Sequence, residues 1–240
     1  MIVQDTGTGK ASIYRGVDPR LVPTYSVNEV AHHLSLPPST VRSWVKSRGG
    51  SSAFQRVIIP ADGHGSLLSF QNLTEVHVLS ALRSYEVPLP KIRDAIGWLR
   101  EIVGTSHPLA DVEMQTDSKD VFARLFGTLV LASKKQDASQ GQIAIAPVLE
   151  RYLSRIDRKD GALRRLYPFL GDNDNRRIIA IDPLHTFGKP YLVGVGVETA
   201  AVASRFRAGE SIDDLARDFD ATEEQISGAL HFERAFKSAA

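Results

Sequence analysis

Apolar side chains recur at helical spacing in two short stretches near the start of the chain, with a pair of prolines between them. Spacing of three and four residues is typical of amphipathic helices, so the pattern predicts two short helices. Ser26 and Glu29 form a capping box for the first helix, and Ser39 is expected to cap the second. Pro37 and Pro38 separate the helices because proline lacks the amide hydrogen that a helix interior needs. The apolar positions are Val27, Val30, Ala31 and Leu34, then Val41, Trp44 and Val45.

The outward side of the second helix is polar and basic. Small hydroxyl side chains at a helix start can approach base edges in a major groove, and the cations that follow can reach phosphates. The pattern therefore predicts a DNA-binding helix-turn-helix between residues 25 and 49. An ordinary helical hairpin with a solvated polar face has the same pattern, so that alternative stays open. The outward residues are Ser39, Thr40, Arg42, Ser43, Lys46 and Arg48.

The residues after the second helix have the composition of a β-hairpin. Residues 54–59 are strand-like, residues 62–65 form a glycine-containing turn, and residues 67–70 can return as the second strand. A hairpin directly after a recognition helix is the wing of a winged helix. We therefore expect DNA contacts from the wing at Arg56 and His64, beside those of the helix at Ser39, Thr40, Arg42, Ser43 and Lys46.

Two further helices follow, and their apolar stripes predict core packing rather than chemistry. The second of them starts near Pro90, where a missing amide hydrogen costs nothing, and ends at Gly104. Trp98 falls off its stripe, and we expect the indole to pack across a domain boundary. The expected core positions are Leu73, Val76, Leu79 and Leu82 in one helix, and Ile92, Ala95, Ile96, Leu99, Ile102 and Val103 in the other.

This order of helix, helix, wing, helix and helix resembles the MerR-type helix-turn-helix, and the resemblance covers residues 23–103. YSVNEVAHHLSLPPSTVRSWVKSRG is similar to the opening of that family, and LLSFQNLTEVHVLSALRSYEVPLPKIRDAI is similar to its third and fourth helices. The resemblance implies a winged DNA-binding head. One departure follows, because ligand-sensing members continue into a long dimerising coiled coil, whereas residues 104–108 stop the helix here.

The middle of the chain, residues 105–176, is predicted to form a small sheet followed by a helix. Residues 121–131 fit either a strand pair hinged at Gly127 or a buried helix, and periodicity does not choose between them. A helix begins at Pro147, with Val148, Leu149, Tyr152, Leu153 and Ile156 facing inward. The basic residues that follow fit a solvated face or added phosphate contacts, and they are Arg155, Arg158, Lys159, Arg164 and Arg165.

The C-terminal part is predicted to contain two short strands, at residues 178–181 and 191–197, and three helices capped by Thr199, Ser211 and Thr222. These three helices are predicted to form a second helix-turn-helix-like unit. Glu223 and Glu224 lie at its tip, where they would repel phosphates, so we expect this unit to contact a protein. The expected protein-contacting residues are Arg205, Arg207, Glu223, Glu224, Phe232 and Phe236.

The same block resembles the small helical C-terminal domain of VapB-type antitoxins. Their pattern is a D-P turn, a G-K-P strand, a G-x-x-I/V-x-T/V entry and a helix that ends in A-G-x-S. Val195-Gly196 departs from it, since a polar pair is commoner there. The resemblance implies an antitoxin whose partner is a PIN-domain ribonuclease toxin. Matching positions are Asp182, Pro183, Gly188, Lys189, Pro190, Gly194, Val197, Thr199, Gly209 and Ser211.

Composition restricts the cellular context and shows a charge asymmetry. The 240 residues are 42% hydrophobic and 24% charged, which suits one large or two to three small soluble domains. The chain has no cysteine and no apolar run of membrane-spanning length, so we expect a cytoplasmic protein without membrane contact. Net charge is only +1, yet residues 1–60 hold seven basic and three acidic residues, whereas residues 198–240 hold five basic and nine acidic ones. The two ends are therefore expected to bind different partners.

No pattern in the chain predicts catalysis, a metal site or a cofactor. The seven histidines lack the paired spacing of zinc ligands, and Gly7-Thr8-Gly9-Lys10 lacks the length of a phosphate-binding loop and the strand before it. Acid pairs such as Asp213-Asp214 lie at a helix start, where the helix dipole explains them. We therefore expect a protein that is not an enzyme.

Together these observations predict a mainly helical α+β protein with an arm (1–22), a MerR-like winged helix-turn-helix (23–104), a central segment (105–176) and a helical antitoxin-type domain (177–240). The expected function is that of an antitoxin that binds operator DNA as a homodimer, represses its own operon and neutralises a PIN-domain toxin. One alternative is a stand-alone MerR- or excisionase-like regulator that bends DNA. Another is an assembly protein whose two modules bind only other proteins.

Overall fold

The computed structural model describes residues 16–46, 56–64, 67–82, 85, 87–111, 127, 147–171 and 176–237. Within these ranges the chain is mixed α+β and mainly helical, as predicted. Its helices are α1 (Val27–His33), α2 (Pro38–Val45), α3 (Phe70–Ser80), α4 (Leu89–Val103), α5 (147–153), α6 (Thr199–Arg207), α7 (Ile212–Asp218) and α8 (Glu223–Lys237). Its strands are β1 (Tyr25–Ser26), β2 (Leu67–Leu68), β3 (Ile156–Lys159), β4 (Ala162–Leu166), β5 (Ile179–Ala180) and β6 (Tyr191–Leu192). In the described ranges, every helix is too short or too polar to cross a bilayer.

The predicted helix-turn-helix is present as α1 and α2. Ser26 Oγ accepts the Glu29 amide at 3.2 Å, and the Glu29 carboxylate accepts the Ser26 amide at 2.7 Å, so the expected capping box forms. The cap predicted at Ser39 is wrong. Residue 37 occupies the cap position of α2 without a side-chain hydrogen bond, and Pro38 takes the first helical position, where its fixed φ is suited to the helix.

The predicted wing is not a hairpin in the described residues. β2 pairs antiparallel with β1, with Tyr25 opposite Leu68, rather than with the segment that follows α2. Val57 and Ile58 of that segment are buried in the core instead of lying in a strand. Their apolar side chains therefore pack in the core beneath α2. Residues 47–55 and 65–66 lie outside the described ranges.

Helices α3 and α4 pack as the apolar pattern predicts, with two exceptions. The predicted stripe of α3 is buried, and α4 ends at Gly104, whose φ of 71° is left-handed. Ile102 was expected in the core but is 56% exposed, and Trp98 was expected to be covered but is 43% exposed. The buried stripe of α4 is narrower than predicted and ends with Leu99, so these two side chains fall outside it.

The basic stretch after α5 forms an antiparallel hairpin that the sequence analysis did not predict. β3 pairs with β4, and the chain reverses at Asp160 (φ 51°) and Gly161 (φ 77°). Leu149 and Leu153 are buried as expected, but Ile156 begins β3 instead of extending the helix. The sheet expected within residues 112–146 lies outside the described residues, apart from Gly127, which is helical and buried.

The C-terminal unit contains the β5–β6 pair and helices α6–α8. Ser211 and Thr222 cap α7 and α8, accepting the amides of residues three positions later at 3.1 and 3.2 Å. The strand expected over 191–197 ends at Leu192, because Gly194 and Gly196 have left-handed backbone angles. The cap predicted at Thr199 is wrong: Glu198 occupies the cap position, and the Thr199 hydroxyl donates to Glu233 at 2.6 Å.

Two large cores hold the chain together, and the first and last helices meet between them. One core contains α1–α5, the hairpin and Ile181, and the other contains α6–α8 with Ile179 and Leu192. The ring of Phe232 on α8 stacks at 18° to His33 on α1, with centroids 6.0 Å apart, and the Tyr25 hydroxyl donates to Gly188 O at 2.9 Å. The C-terminal unit therefore packs directly on the helix-turn-helix.

Candidate nucleic-acid interface

Helix α2 presents the predicted DNA-contacting residues in two groups. Ser39, Arg42 and Lys46 are exposed on its outward side. Thr40 and Ser43 are half-buried, and the Ser43 hydroxyl donates to Thr40 O at 2.7 Å. These two hydroxyl residues border a depression between α2, α3 and α4 that is lined by Trp44, Leu79, Leu82, Val87, Leu89 and Ile92. Of the predicted contacts on α2, the described residues on the outward side are therefore one small polar residue and two cations.

The position of Arg42 depends on both helices of the motif. Its guanidinium donates to Asn28 Oδ1 on α1 at 3.2 Å, while Val41, Trp44 and Val45 anchor the opposite side of α2 in the core. The cation is thereby held over the junction of the two helices, at the exposed end of the unit. A guanidinium in this position can donate further N–H groups to a phosphate or to a base.

The loop 56–64 lies beside the end of α2 and carries the other two predicted contacts. The Ile58 amide donates to Trp44 O at 3.0 Å, which joins the loop to the helix. Arg56 is half-buried and donates to Gly63 O at 2.5 Å, whereas His64 is exposed. The structure therefore places Arg56 and His64 on a loop that is joined to the end of α2, instead of on a hairpin.

Two side chains behind the loop fix its path. Arg100 on α4 donates to Arg56 O at 3.1 Å and to Val57 O at 2.6 Å. Burial lowers the pKa of Arg100, an effect that the charge of Glu75 partly opposes. Asn72 donates to Ile59 O at 2.8 Å and accepts the Ala61 amide at 3.0 Å. Arg100 and Asn72 therefore hold the loop through its backbone atoms.

Sequence reasoning missed one further cation at this surface. Arg93 on α4 is half-buried, and its guanidinium lies 3.5 Å from Ser43 O, directly beside the second turn of α2. The signal that could have found it is its place in α4, next to Ile92 on the apolar stripe and on the side of the helix that meets α2. Arg93 adds positive charge at the edge of the outward surface.

The residues predicted to contact a protein partner have different environments. Arg207 and Glu223 are exposed. Glu224 lies 2.6 Å from Arg176 in an exposed ion pair. Arg205 pairs with Glu210 and Asp218, and its hydrogen bonds to Glu210 raise the pKa of Arg205. Of these four residues, Arg207 and Glu223 are therefore open to a partner, while Arg205 and Glu224 are already paired within the chain.

The two aromatic residues of that set are not placed on a described surface. Phe232 is 3% exposed, because it packs against His32 and His33 of α1 and within the core of the C-terminal unit. The side chain of Phe236 lies outside the described residues. As a surface contact, Phe232 is therefore corrected to a core residue that joins the two ends of the chain.

An aromatic residue that the sequence analysis did not select is exposed instead. Phe187 is 62% exposed in the turn between β5 and β6, where Thr186, Phe187 and Gly188 have φ of 47°, 53° and 80°. Non-glycine residues in this region cost of order 1 kcal/mol or more each. The Thr186 hydroxyl stabilises the turn through Lys189 O at 2.8 Å. The turn thus holds an aromatic ring in solvent at an energetic cost.

Comparison with known proteins matches both ends of the chain. Residues 23–96 match a family model described as a putative DNA-binding HTH domain, and residues 179–232 match one described as a protein of unknown function, DUF433. Over 228 residues the chain is 31% identical to putative antitoxin VapB45 from Mycobacterium tuberculosis, covering 87% of this chain and 93% of that one. The chain belongs to the VapB45 family.

One further relative and one solved structure, both from the same organism, extend the comparison. Uncharacterized protein Rv2308 is 24% identical over 223 residues, covering 90% of this chain and 92% of that one. The crystal structure of Rv2018 aligns with a TM-score of 0.65 at 26% identity, over 88% of this chain and 98% of that one. The prediction of a helix-turn-helix protein similar to an antitoxin is thereby confirmed at this level.

Proposed function

We propose that this VapB45-family protein is an antitoxin that binds the operator of its own operon through α2 and neutralises a toxin through its C-terminal unit. The observation that carries the proposal is the exposed surface of α2, where Arg42 and Lys46 lie within the segment that matches the DNA-binding HTH family model. The family relationship to a protein named as an antitoxin supports the second activity.

In this proposal, α2 enters the major groove as in MerR-like proteins. Ser39 at the exposed start of the helix approaches base edges, while Arg42 and Lys46 neutralise phosphates and release counterions. The loop 56–64 takes the place of a wing, with Arg56 and His64 toward the backbone. A homodimer on an inverted repeat would double these contacts and explain repression of the operon.

The proposed toxin is a PIN-domain ribonuclease, bound by the C-terminal unit in the cytoplasm. Residues 198–240 carry an excess of four acidic residues, which complements the basic groove of an enzyme that binds RNA. The exposed Phe187 supplies an aromatic anchor beside Lys189, and Phe232 has no direct part in capture. The protein acts by binding and has no catalytic role of its own.

A gel-shift titration with DNA from upstream of the gene tests the first activity. Replacing Arg42 with alanine should weaken binding about tenfold and make the dependence of log affinity on log salt shallower by about one. Arg217→Ala is the matched control, because Arg217 is an exposed arginine on the C-terminal unit. Equal affinity of the two variants would show that α2 does not contact DNA. Operator binding without capture of a co-expressed toxin would instead indicate a stand-alone regulator.

A further inference from the structure

The outward face of α4 carries two large apolar side chains that the described protein leaves in solvent. Trp98 is 43% exposed and Ile102 is 56% exposed. They are four residues apart, so they lie one above the other on the same side of the helix. Tryptophan buries more apolar area than almost any other residue when it finds a partner, and such paired exposure on a helix face marks an interaction surface.

Residues of opposite charge lie near the two ends of α4, on the same side of the helix as this pair. Lys91 lies near the start of α4 and Glu101 near its end, about 15 Å apart at 1.5 Å per residue. At about 100° per residue, both fall within roughly 60° of Trp98 around the helix axis. Neither has an ion-pair partner among the residues that the structure describes. Asp94 lies between Lys91 and Trp98 and is exposed.

A helix face with this order of charge is complementary to itself. If a second α4 is laid antiparallel against the first, with the two-fold axis level with residue 96, Lys91 lies opposite the partner's Glu101. In the same register Trp98 lies opposite the partner's Asp94. Among the residues that the structure describes, the indole N–H has no acceptor, and a carboxylate opposite it would satisfy that donor. A parallel arrangement would instead place like charges together.

We propose that α4 is the contact between two copies of this chain, paired antiparallel about an axis level with residue 96, with Trp98 inside the contact. This inference deepens the proposed function, since it names the surface through which the DNA-binding dimer forms. The self-complementary charges favour a second copy over an unrelated partner, because a two-fold contact makes each ion pair twice. Helix α4 ends at Gly104, so the contact extends from Lys91 to Glu101 and is not continued by a long coiled coil.

Because α4 packs against α2, the proposed contact also affects the position of the recognition helices. Ile92 and Leu89 line the same depression as Thr40 and Ser43 of α2, and Arg93 reaches the backbone of α2. Pairing two copies of α4 therefore fixes the distance between two recognition helices. The spacing between operator half-sites then follows from the α4 register.

Sedimentation equilibrium of the full chain without DNA tests the contact directly. Lys91→Glu and Glu101→Lys should each raise the dimer dissociation constant about tenfold, and the double variant should restore it to within about threefold of the original value. Trp98→Ser should raise it by on the order of 100-fold. Leu21→Ser is the matched control, because Leu21 is an exposed apolar residue outside α4.

Each result bears on the contact separately from the proposed function. A monomeric chain at micromolar concentration, a Trp98→Ser dimer as tight as the original, or a double variant as weak as the single ones would overturn the α4 contact. Urea unfolding confirms that each variant is folded, and the charge reversals affect only side chains without described ion-pair partners. A dimer that behaves as expected but fails to bind operator DNA would overturn the DNA-binding function and leave the contact standing.

Discussion

Replacing Phe232 with alanine distinguishes a core residue from a surface contact. The ring is 3% exposed, with centroids 5.0 Å from His32 and 6.0 Å from His33. Burying a phenylalanine removes about 150–250 Å² from water, worth about 4–6 kcal/mol at ~25 cal/mol per Å² as an upper estimate. Since measured values for such truncations are about 3–5 kcal/mol, we expect Phe232→Ala to lower the free energy of unfolding by that amount.

Urea unfolding followed by far-ultraviolet circular dichroism measures this loss. Phe187→Ala is the matched control, because Phe187 is an exposed phenylalanine in the same unit, and its truncation should change stability by less than about 0.5 kcal/mol. Toxin capture should show the reverse order, because Phe187→Ala should weaken it more than Phe232→Ala does. A loss below about 1 kcal/mol for Phe232→Ala would refute the packing of α8 on α1.

Two further perturbations act on buried groups. Gly188→Ala should destabilise the protein by about 2–3 kcal/mol, because the added Cβ would overlap the Tyr25 hydroxyl and residue 188 has a left-handed φ. Gly194 has a similar φ but open space around it, so Gly194→Ala should cost only about 1 kcal/mol. Thermal unfolding of the two variants measures the difference. Burial lowers the pKa of His33 to about 3 and that of His77 to about 4, so both stay neutral in the folded state while the unfolded state gains protons below pH 6.5. Stability should therefore fall by roughly 1.4 kcal/mol per pH unit for each histidine between about pH 6 and 4; urea midpoints that stay constant across this range would contradict it.

Local signals in the sequence predicted the boundaries of several elements correctly. The capping box at Ser26, the caps at Ser211 and Thr222, and the left-handed end of α4 at Gly104 all occur in the structure. Each of these signals depends on atoms within four residues of one another. They could be predicted because no distant part of the chain takes part in them.

Pairing between distant segments was predicted poorly. Residues 67–68 pair with β1, about forty residues earlier, rather than with the preceding segment, and nothing in the local composition distinguishes the two partners. The hairpin of β3 and β4, by contrast, does have a local signal. Asp160-Gly161 is a strong two-residue hairpin signal, but the arginines around it also fit a solvated face.

In the candidate site, too, local patterns predicted some positions correctly, whereas positions that depend on distant packing could not be predicted. The apolar pattern correctly placed Ser39, Arg42 and Lys46 opposite the buried side of α2. It could not show that Thr40 and Ser43 turn toward α4, since this depends on where a helix fifty residues away packs. The sequence also shows that Phe232 is a large apolar residue in the last helix, but not whether its neighbours belong to the chain or to a partner.

The packing of the two ends changes how their activities can be separated. If the two ends bound their different partners independently, a chain cut after Asp182 would keep DNA binding. In the structure that cut would remove Phe232 from His33 and the Gly188 carbonyl from the Tyr25 hydroxyl. Tyr25 belongs to β1 and His33 to α1, so the losses fall on the helix-turn-helix itself. Point substitutions on exposed residues, rather than truncation, are therefore the changes that can test DNA binding and toxin capture one at a time.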